Sequence, residues 1–207
     1  MIADILPAGV VAAESFGPAA YRGLFPGEAA AIATADPGRR AEFAAGRAVA
    51  RAALASLGAP PGPVPRGPAG EPVWPGGVVG SITHCAGYRA CAVGLARDLA
   101  AIGIDAEPCL ALADGLLAEV AGAAERAWLA ELSTASPGVP WDRVLFCAKE
   151  AVYKAWYPRT GQRPGLRSMT VQVATAGTFA AALPPASLTG RWLVSGGLIV
   201  TAVSVPH

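Results

Sequence analysis

The sequence predicts an α+β protein of two similar halves, related by a pseudo-twofold axis, that meet near residues 100–105. Helical and strand-like segments follow one another along the chain, and each half runs roughly helix first and strands after. No low-complexity tail and no simple short-period repeat interrupts this order. With 207 residues the chain can bury a substantial core. We place the boundary between an N-terminal half, 1–101, and a C-terminal half, 102–207.

The N-terminal half is predicted to contain a long helix, a loop and a hairpin. "PGRRAEFAAGRAVARAALASLG" is typical of a helix, with Pro37 near its start and Gly58 at its end. The following stretch, 59–77, is so rich in proline and glycine that it favours a surface loop. "VVGSITHCAGYRACAVGL" has two β-prone runs around Gly87 and predicts a hairpin.

The C-terminal half begins with "AIGIDAEP", residues 101–108, whose apolar run predicts a buried strand. Residues 115–132 favour one helical region, and residues 141–158 favour another that Pro158 closes. The last third predicts strands and hairpins over 169–183 and 190–205.

Composition and charge argue against several classes of protein. The net charge of +1 gives no general basis for nucleic-acid binding. Alanine supplies much of the 53% hydrophobic fraction, and no apolar run reaches the roughly 18–20 residues of a membrane span. The start lacks a basic segment, which argues against a signal peptide, so we expect a cytoplasmic protein. Four cysteines without a CxxC pair favour reduced thiols.

Two carboxylates, Asp105 and Glu107, follow the apolar run of the predicted strand. Alternate strand residues face the same side, so these acids project together while Ala106 faces away. Their mutual repulsion is relieved by a proton, a basic partner or a divalent cation, and carboxylate oxygens suit Mg²⁺ bound to a phosphate. The alternative is that the strand ends at Ile104 and both acids are solvated turn residues before Pro108.

A second charged pair, Glu150 and Lys154, lies in the predicted helix 141–158. On a helical projection this pair falls opposite the apolar face that contains Leu145, Ala148 and Val152. The pair is therefore free to take part in chemistry. The alternative is an exposed i,i+4 ion pair that stabilises the helix by a few tenths of a kcal/mol.

Basic residues and His84 provide candidate phosphate ligands. Guanidinium groups of the first helix can bind phosphates bidentately; these are Arg39, Arg40, Arg47 and Arg51, and Arg66 follows in the loop. Ser81, Thr83 and His84 of the hairpin can donate to a phosphoryl oxygen. The alternatives are a solvated helix face and a hydrogen-bonded, half-buried histidine. A zinc site at His84 is disfavoured, because only His207 adds a second imidazole.

Four ordered blocks of the chain closely resemble the 4′-phosphopantetheinyl transferases of the Sfp/EntD class, particularly the enterobactin-synthase-like branch. The blocks are "FAAGRAVARAAL", "RGPAGEPVWPGGVVGSITHCAGYRACAV", "IGIDAEP" and "FCAKEAVYKAWYP", within residues 36–158. The family signature is a GIDxE strand followed by a (W/F)xxKExxxK helix. This chain has all its members: Gly103, Ile104, Asp105, Glu107, Phe146, Lys149, Glu150 and Lys154. Phe146 replaces the tryptophan of some members.

The resemblance implies transfer of the 4′-phosphopantetheine arm from coenzyme A to a serine of an apo acyl, peptidyl or aryl carrier protein, leaving adenosine 3′,5′-bisphosphate. It implies a monomer with the coenzyme between its halves. It also assigns residues to roles. Asp105, Glu107 and Glu150 would hold Mg²⁺, with Mn²⁺ as an alternative. Asp105, Glu150 and Lys154 would be catalytic, with Glu150 as general base directly or through a metal-bound water. Coenzyme A would contact Arg47, Arg51, Arg66, Gly67, Thr83, His84, Lys149 and Lys154.

Two other functions stay open at this point: a magnesium phosphohydrolase acting on a nucleotide, and a non-catalytic module that binds coenzyme A or a carrier. The segment 110–132 is a candidate carrier surface, and its alternative is a helix packed on its own core with Trp128 inside. The natural carrier and the number of metal ions are not predicted. We expect no nucleic-acid or membrane partner.

Overall fold

Two antiparallel sheets organise the protein in the computed structural model, which describes residues 1–18 and 23–207. The smaller sheet has the strand order β1-β3-β2, with β1 at Val11–Phe16, β2 at Val78–Cys85 and β3 at Tyr88–Leu95. The larger has the order β4-β8-β7-β6-β5, with β4 at Leu99–Pro108, β5 at Thr170–Ala174, β6 at Thr178–Leu183, β7 at Ala186–Ser195 and β8 at Leu198–Pro206.

Helices cover the outer faces of these sheets. They are α1 (Pro26–Ala30), α2 (Pro37–Ser56), α3 (Leu116–Val120), α4 (Ala123–Ala135) and α5 (Trp141–Thr160). Asp36 caps α2 by accepting the Arg39 N–H, and Pro37 occupies the first turn, as helix starts prefer. The predicted α+β class is therefore confirmed, together with the predicted hairpin around Gly87 and the one predicted within 190–205, whose turn lies at Gly196–Gly197.

The packing has four layers: α2, the three-stranded sheet, the five-stranded sheet, and α4 with α5. Apolar residues of α2, such as Val49 and Leu54, pack against Cys91 and Val93 of β3. The opposite face of β3 packs on β4 and β8 through Tyr88, Ala90 and Ala92. The largest cluster lies between α5 and the five-stranded sheet. Buried apolar area of this kind is the main stabilising contribution to such a fold.

The two sheets adjoin where their edge strands β2 and β4 lie side by side, a contact that we call the inter-sheet seam. Side-chain hydroxyls link it. The Ile104 N–H donates to Ser81 Oγ at 3.1 Å, and the Ala106 N–H donates to Thr83 Oγ1 at 3.0 Å. The short side chains of Ser81 and Thr83 thereby fix the end of β4 against β2.

Several details differ from the sequence prediction. The helical region predicted over 115–132 is two helices, because the chain is extended at Ala121 and Gly122 between α3 and α4. Helix α5 continues past Pro158, since a proline in the last turn removes only one hydrogen bond, and it ends at Gly161 with φ 66°. Strand β1 had no sequence prediction.

The division into two similar halves stays a prediction. Each sheet carries one 20-residue helix, α2 or α5, on its outer face, but the sheets contain three and five strands. The predicted boundary between residues 101 and 102 falls inside β4, so Leu99–Ala101 pair with the second sheet.

Gly103 allows α5 to approach β4 closely. A Cβ atom at this position would overlap the carbonyl oxygen of Ala151 and the amide nitrogen of Ala155. We expect Gly103→Ala to force α5 away from the sheet and to lower the free energy of unfolding by about 1–3 kcal/mol. Urea unfolding measures this, with Gly138→Ala as the control because a Cβ there meets open space. Equal stability of the two variants would contradict the close packing.

Candidate active site

Asp105 lies at the centre of the predicted site, buried on β4 with 5% of its surface exposed. Its Oδ1 atom accepts hydrogen bonds from the Thr83 hydroxyl at 3.0 Å and from Lys154 Nζ at 2.6 Å. Its Oδ2 atom is buried and has no hydrogen-bond partner among the described residues. Because an unpaired buried oxygen of a carboxylate is costly, this atom is suited to receive a ligand.

Glu107 is two residues further along β4, where Asp105 pairs with Thr201 and Glu107 with Ile199 of β8. The strand thus continues through both acids, and the interpretation of a turn beginning at Asp105 is wrong. Glu107 Oε2 accepts from Arg143 of α5 at 2.8 Å. Burial raises the pKa of Glu107, and the charge of Asp105 raises it further, while Arg143 opposes both. Ala106 faces the opposite side, in the core cluster between the sheets.

Glu150 and Lys154 lie on α5 above β4, on the side of the helix opposite its buried apolar residues, as predicted. Lys154 pairs with Asp105 rather than forming the exposed i,i+4 pair with Glu150. Burial lowers the pKa of Lys154, but the hydrogen-bonded charge of Asp105 reverses this and holds it above its usual value. Burial raises the pKa of Glu150, and Asp105 adds to this increase.

The three acids suit a hard divalent cation in donor chemistry. They supply carboxylate oxygens, including Asp105 Oδ2, which has no hydrogen-bond partner among the described residues, and the charge of Asp105 raises the pKa of both other acids. Within residues 1–18 and 23–207, no three acids, histidines or cysteines are already drawn together at metal-binding distances. A bound cation would therefore have to draw these side chains closer together.

A cleft of about 190 Å³ opens beside these acids. Its walls are the loop 69–74, strand β2 at 80–82, and α5, which contributes Glu150, Tyr153, Lys154 and Tyr157. A larger concavity of about 620 Å³ lies on the five-stranded sheet, and it contains none of the predicted site residues. The smaller cleft is therefore the better candidate, because Glu150 and Lys154 line it.

The predicted phosphate ligands on the N-terminal side are only partly brought together. His84, at the end of β2, has its Nε2 atom 3.2 Å from Arg39 Nη1, and burial lowers the His84 pKa. Thr83 faces the acids, as described above. Arg66 and Gly67 lie in a turn closed by the bridge between Arg66 and Pro72, whose loop lines the cleft. The Arg39 contact was not singled out from the sequence, because residues 45 positions apart show no shared periodicity.

Arg47 and Arg51 have internal partners in the structure. Arg47 is buried, donates from Nε to the Val64 carbonyl at 2.7 Å and stacks over the Phe43 ring at 4.1 Å. Arg51 pairs with the buried carboxylate of Glu28 at 3.1 Å. These contacts connect α2 to the segments on either side of it. Phosphate binding by Arg51 would compete with the buried Glu28, and binding by Arg39 would compete with the exposed Glu42 at 3.7 Å.

Lys149 requires a correction. It was assigned to coenzyme A, but its side chain is fully buried and is not among the residues that line the cleft. Its Nζ atom donates to Glu125 at 2.8 Å and to the carbonyls of Val120, Leu166 and Met169. Burial lowers the Lys149 pKa, while Glu125 opposes this change. An ammonium with four protein acceptors has no free donor for a coenzyme, so its role is structural.

Most of the segment 110–132 packs against the protein's own core, which favours the packed helix over a carrier surface. Leu129 and Leu132 are buried, and Trp128 is partly buried with its indole N–H donating to the Val173 carbonyl at 2.9 Å. Leu110, at the start of the segment, is 68% exposed. This first part of the segment therefore offers an exposed apolar side chain to a partner.

All four cysteines lie in the described residues, and none of them forms a disulfide there. None of the described helices combines the length and the apolar character that crossing a membrane requires.

Comparison with known families finds a matching family model for each of two consecutive parts of the chain. Residues 27–94 match the 4′-phosphopantetheinyl transferase N-terminal domain. Residues 101–203 match the 4′-phosphopantetheinyl transferase superfamily. The fold and the two matches define a transferase, as the sequence resemblance implied.

Curated relatives give the same result over the full length. The chain is 48% identical to 4′-phosphopantetheinyl transferase Svp of Streptomyces mobaraensis, covering 99% of this chain and 89% of that protein. It is 42% identical to 4′-phosphopantetheinyl transferase Npt of Nocardia iowensis, covering 99% of each. It is 40% identical to 4′-phosphopantetheinyl transferase PptT of Mycobacterium tuberculosis, covering 98% and 97%. The chain belongs to the 4′-phosphopantetheinyl transferase family.

Proposed function

We propose that the protein transfers 4′-phosphopantetheine from coenzyme A to a serine of an apo carrier protein, depends on Mg²⁺ and releases adenosine 3′,5′-bisphosphate. The observation that carries this proposal is the carboxylate of Asp105. Its Oδ1 atom is held by Thr83 and Lys154, while its buried Oδ2 atom has no partner within residues 1–18 and 23–207, and Glu150 and Lys154 line the neighbouring cleft. The names of the relatives support the reaction class.

Asp105, Glu107 and Glu150 are the residues that would hold Mg²⁺ or Mn²⁺. When bound, the metal supplies charge neutralisation to the pyrophosphate of coenzyme A. The protein's own part is to present these carboxylates in fixed positions. Thr83 and Lys154 do this for Asp105, and Lys154 also places a positive charge where the pyrophosphate oxygens would lie.

Glu150 is the proposed general base. The carrier serine oxygen attacks the β-phosphorus of coenzyme A, the bond from this phosphorus to the oxygen of the adenosine 5′-phosphate breaks, and the serine proton passes to the Glu150 carboxylate. Burial and the charge of Asp105 raise the Glu150 pKa, which makes this group a stronger base than a solvated carboxylate.

The N-terminal side of the cleft would bind the rest of coenzyme A. Arg39 and His84 form a hydrogen-bonded pair at the end of β2, and Arg66 lies on the loop that borders the cleft. Gly67 belongs to the same loop, where a Cβ atom would overlap the Glu71 carboxylate. Arg47, whose Nε and Nη2 atoms donate to the Val64 and Pro65 carbonyls, and Arg51, which pairs with Glu28, remain proposed ligands, whereas we withdraw Lys149.

The carriers we propose are domains of fatty acid, polyketide or peptide synthases. A siderophore carrier is one candidate. The chain is 33% identical to enterobactin synthase component D of Salmonella typhimurium, covering 82% of this chain and 75% of that protein. We further propose a cytoplasmic monomer.

Incubation of the protein with coenzyme A, Mg²⁺ and a panel of apo carrier proteins tests the function. We expect intact-protein mass spectrometry to show one added phosphopantetheine arm on at least one carrier. Chelation by EDTA should abolish this gain, and added Mg²⁺ should restore it. A carrier whose acceptor serine is replaced by alanine is the matched control.

Two outcomes would contradict the proposal. Release of nucleotide from coenzyme A at the same rate without a carrier would favour a phosphohydrolase. Tight binding of coenzyme A with no modified carrier in the panel would favour a non-catalytic module.

A further inference from the structure

We propose that Arg143 is a positioning residue that holds one oxygen of Glu107 so that the other is presented to the metal. This inference rests on the proposed function, because it concerns one of the three proposed metal ligands. Arg143 lies in the first turn of α5, seven residues before Glu150 on the same helix. It belongs to no part of the family signature described above.

All three nitrogens of the Arg143 guanidinium are engaged. Nη1 donates to Glu107 Oε2 at 2.8 Å, Nε donates to the Leu110 carbonyl at 3.0 Å, and Nη2 donates to the Ala111 carbonyl at 2.9 Å. The two charged side chains are 18% and 21% exposed. A planar guanidinium with three fixed acceptors has little freedom to rotate, so it fixes the orientation of the carboxylate that it contacts.

Glu107 and Asp105 are held in the same manner. In each acid a cation of α5 occupies one oxygen: Lys154 on Asp105 Oδ1 and Arg143 on Glu107 Oε2. The other oxygen of each acid has no hydrogen-bond partner among the described residues. Carboxylates that bind metals are commonly oriented by such outer contacts, which leave one oxygen for the ion.

The same turn of α5 also holds the chain that follows β4. Asp142 Oδ2 accepts the Leu112 N–H at 2.9 Å, next to the two carbonyls that Arg143 contacts. Residues 110–112, Glu107 and the helix that contains Glu150 are therefore connected through two adjacent side chains. Arg143 thus couples the position of Glu107 to the exposed segment at Leu110.

Direct binding of Mn²⁺ to the full-length protein tests this role without relying on turnover. The free Mn²⁺ signal in electron paramagnetic resonance gives the dissociation constant for the wild type, Arg143→Met, Arg143→Lys and the control Arg97→Met. Arg97 is also paired with an acid, but its side chain is 79% exposed. We expect Arg143→Met to weaken Mn²⁺ binding by about 10- to 100-fold. Lysine should recover part of this loss, and Arg97→Met should match the wild type.

Glu107→Gln and the double variant Glu107→Gln/Arg143→Met separate positioning from general stability. If Arg143 acts through Glu107, the double variant should bind Mn²⁺ as weakly as Glu107→Gln alone. Unchanged or tighter Mn²⁺ binding by Arg143→Met, with only a lower melting temperature, would overturn the inference. Additive losses in the double variant would also overturn it.

The wild type separates this inference from the proposed function. Wild-type protein that binds Mn²⁺ but modifies no carrier would count against the transfer reaction, and the comparison of variants would still decide the role of Arg143. Wild-type protein without Mn²⁺ binding would overturn both.

Discussion

Asp105→Asn is expected to lower the rate of phosphopantetheine transfer by about a hundredfold to a thousandfold, because it removes one of the charges that the reaction centre is built around. Asparagine has the same shape as aspartate and its carbonyl oxygen can still accept from Thr83, so the fold should be retained. The charge that pairs with Lys154 and the oxygen available to a metal are both lost.

The rate is measured by mass spectrometry of the loaded carrier under single-turnover conditions. Asp98→Asn is the matched control, since the Asp98 side chain is 64% exposed in a turn, where its carboxylate pairs with Arg97. Circular dichroism should show the same fold for both variants. A rate for Asp105→Asn within a few-fold of the control would remove Asp105 from the proposed mechanism.

Lys149→Met is expected to lower the free energy of unfolding by about 3–5 kcal/mol, as loss of one partner from a buried ion pair typically does. The Glu125 carboxylate would lose its ion pair with Lys149 while staying buried, although the N–H groups of Gly122 and Val171 still donate to it. The carbonyls of Val120, Leu166 and Met169 would each lose their contact with the ammonium.

Urea unfolding of Lys149→Met, Glu125→Gln and the double variant tests this account. The losses of stability should be strongly non-additive: the double variant should lose much less than the sum of the losses of the two single variants. Glu131→Gln, at an exposed site on the same helix, should be neutral. If Lys149→Met instead keeps its stability and loses affinity for coenzyme A, the earlier assignment of Lys149 to the coenzyme would be restored.

The positions of Lys149 and Lys154 show what the sequence can and cannot predict. The helical period correctly separates Glu150 and Lys154 from the apolar face, because side-chain direction follows directly from helix geometry. Lys149 falls next to them in sequence and in the family signature, yet it is buried against Glu125. Its partners come from α3, α4 and the chain after α5, and no local pattern encodes such distant contacts.

The acids follow the same rule. Alternation along β4 predicts that Asp105 and Glu107 share a side, but their partners Thr83, Lys154 and Arg143 depend on how the two sheets and α5 meet. The arginines of α2 are a further example of predictable spacing with unpredictable partners. Spacing places Arg47 and Arg51 one turn apart, but the buried Glu28 that takes Arg51 lies in α1, whose approach only the tertiary structure reveals.

Thr83 links the inter-sheet seam to the reaction centre, and this restricts how a substrate can enter. Its single hydroxyl oxygen accepts the Ala106 N–H and donates to Asp105, so one atom belongs both to the joint between the sheets and to the reaction centre. The sheets cannot slide apart to admit a ligand without withdrawing support from that carboxylate. We therefore expect the entrance to widen by displacement of the proline- and glycine-rich loop at 66–74, while the two sheets keep their positions as a rigid floor.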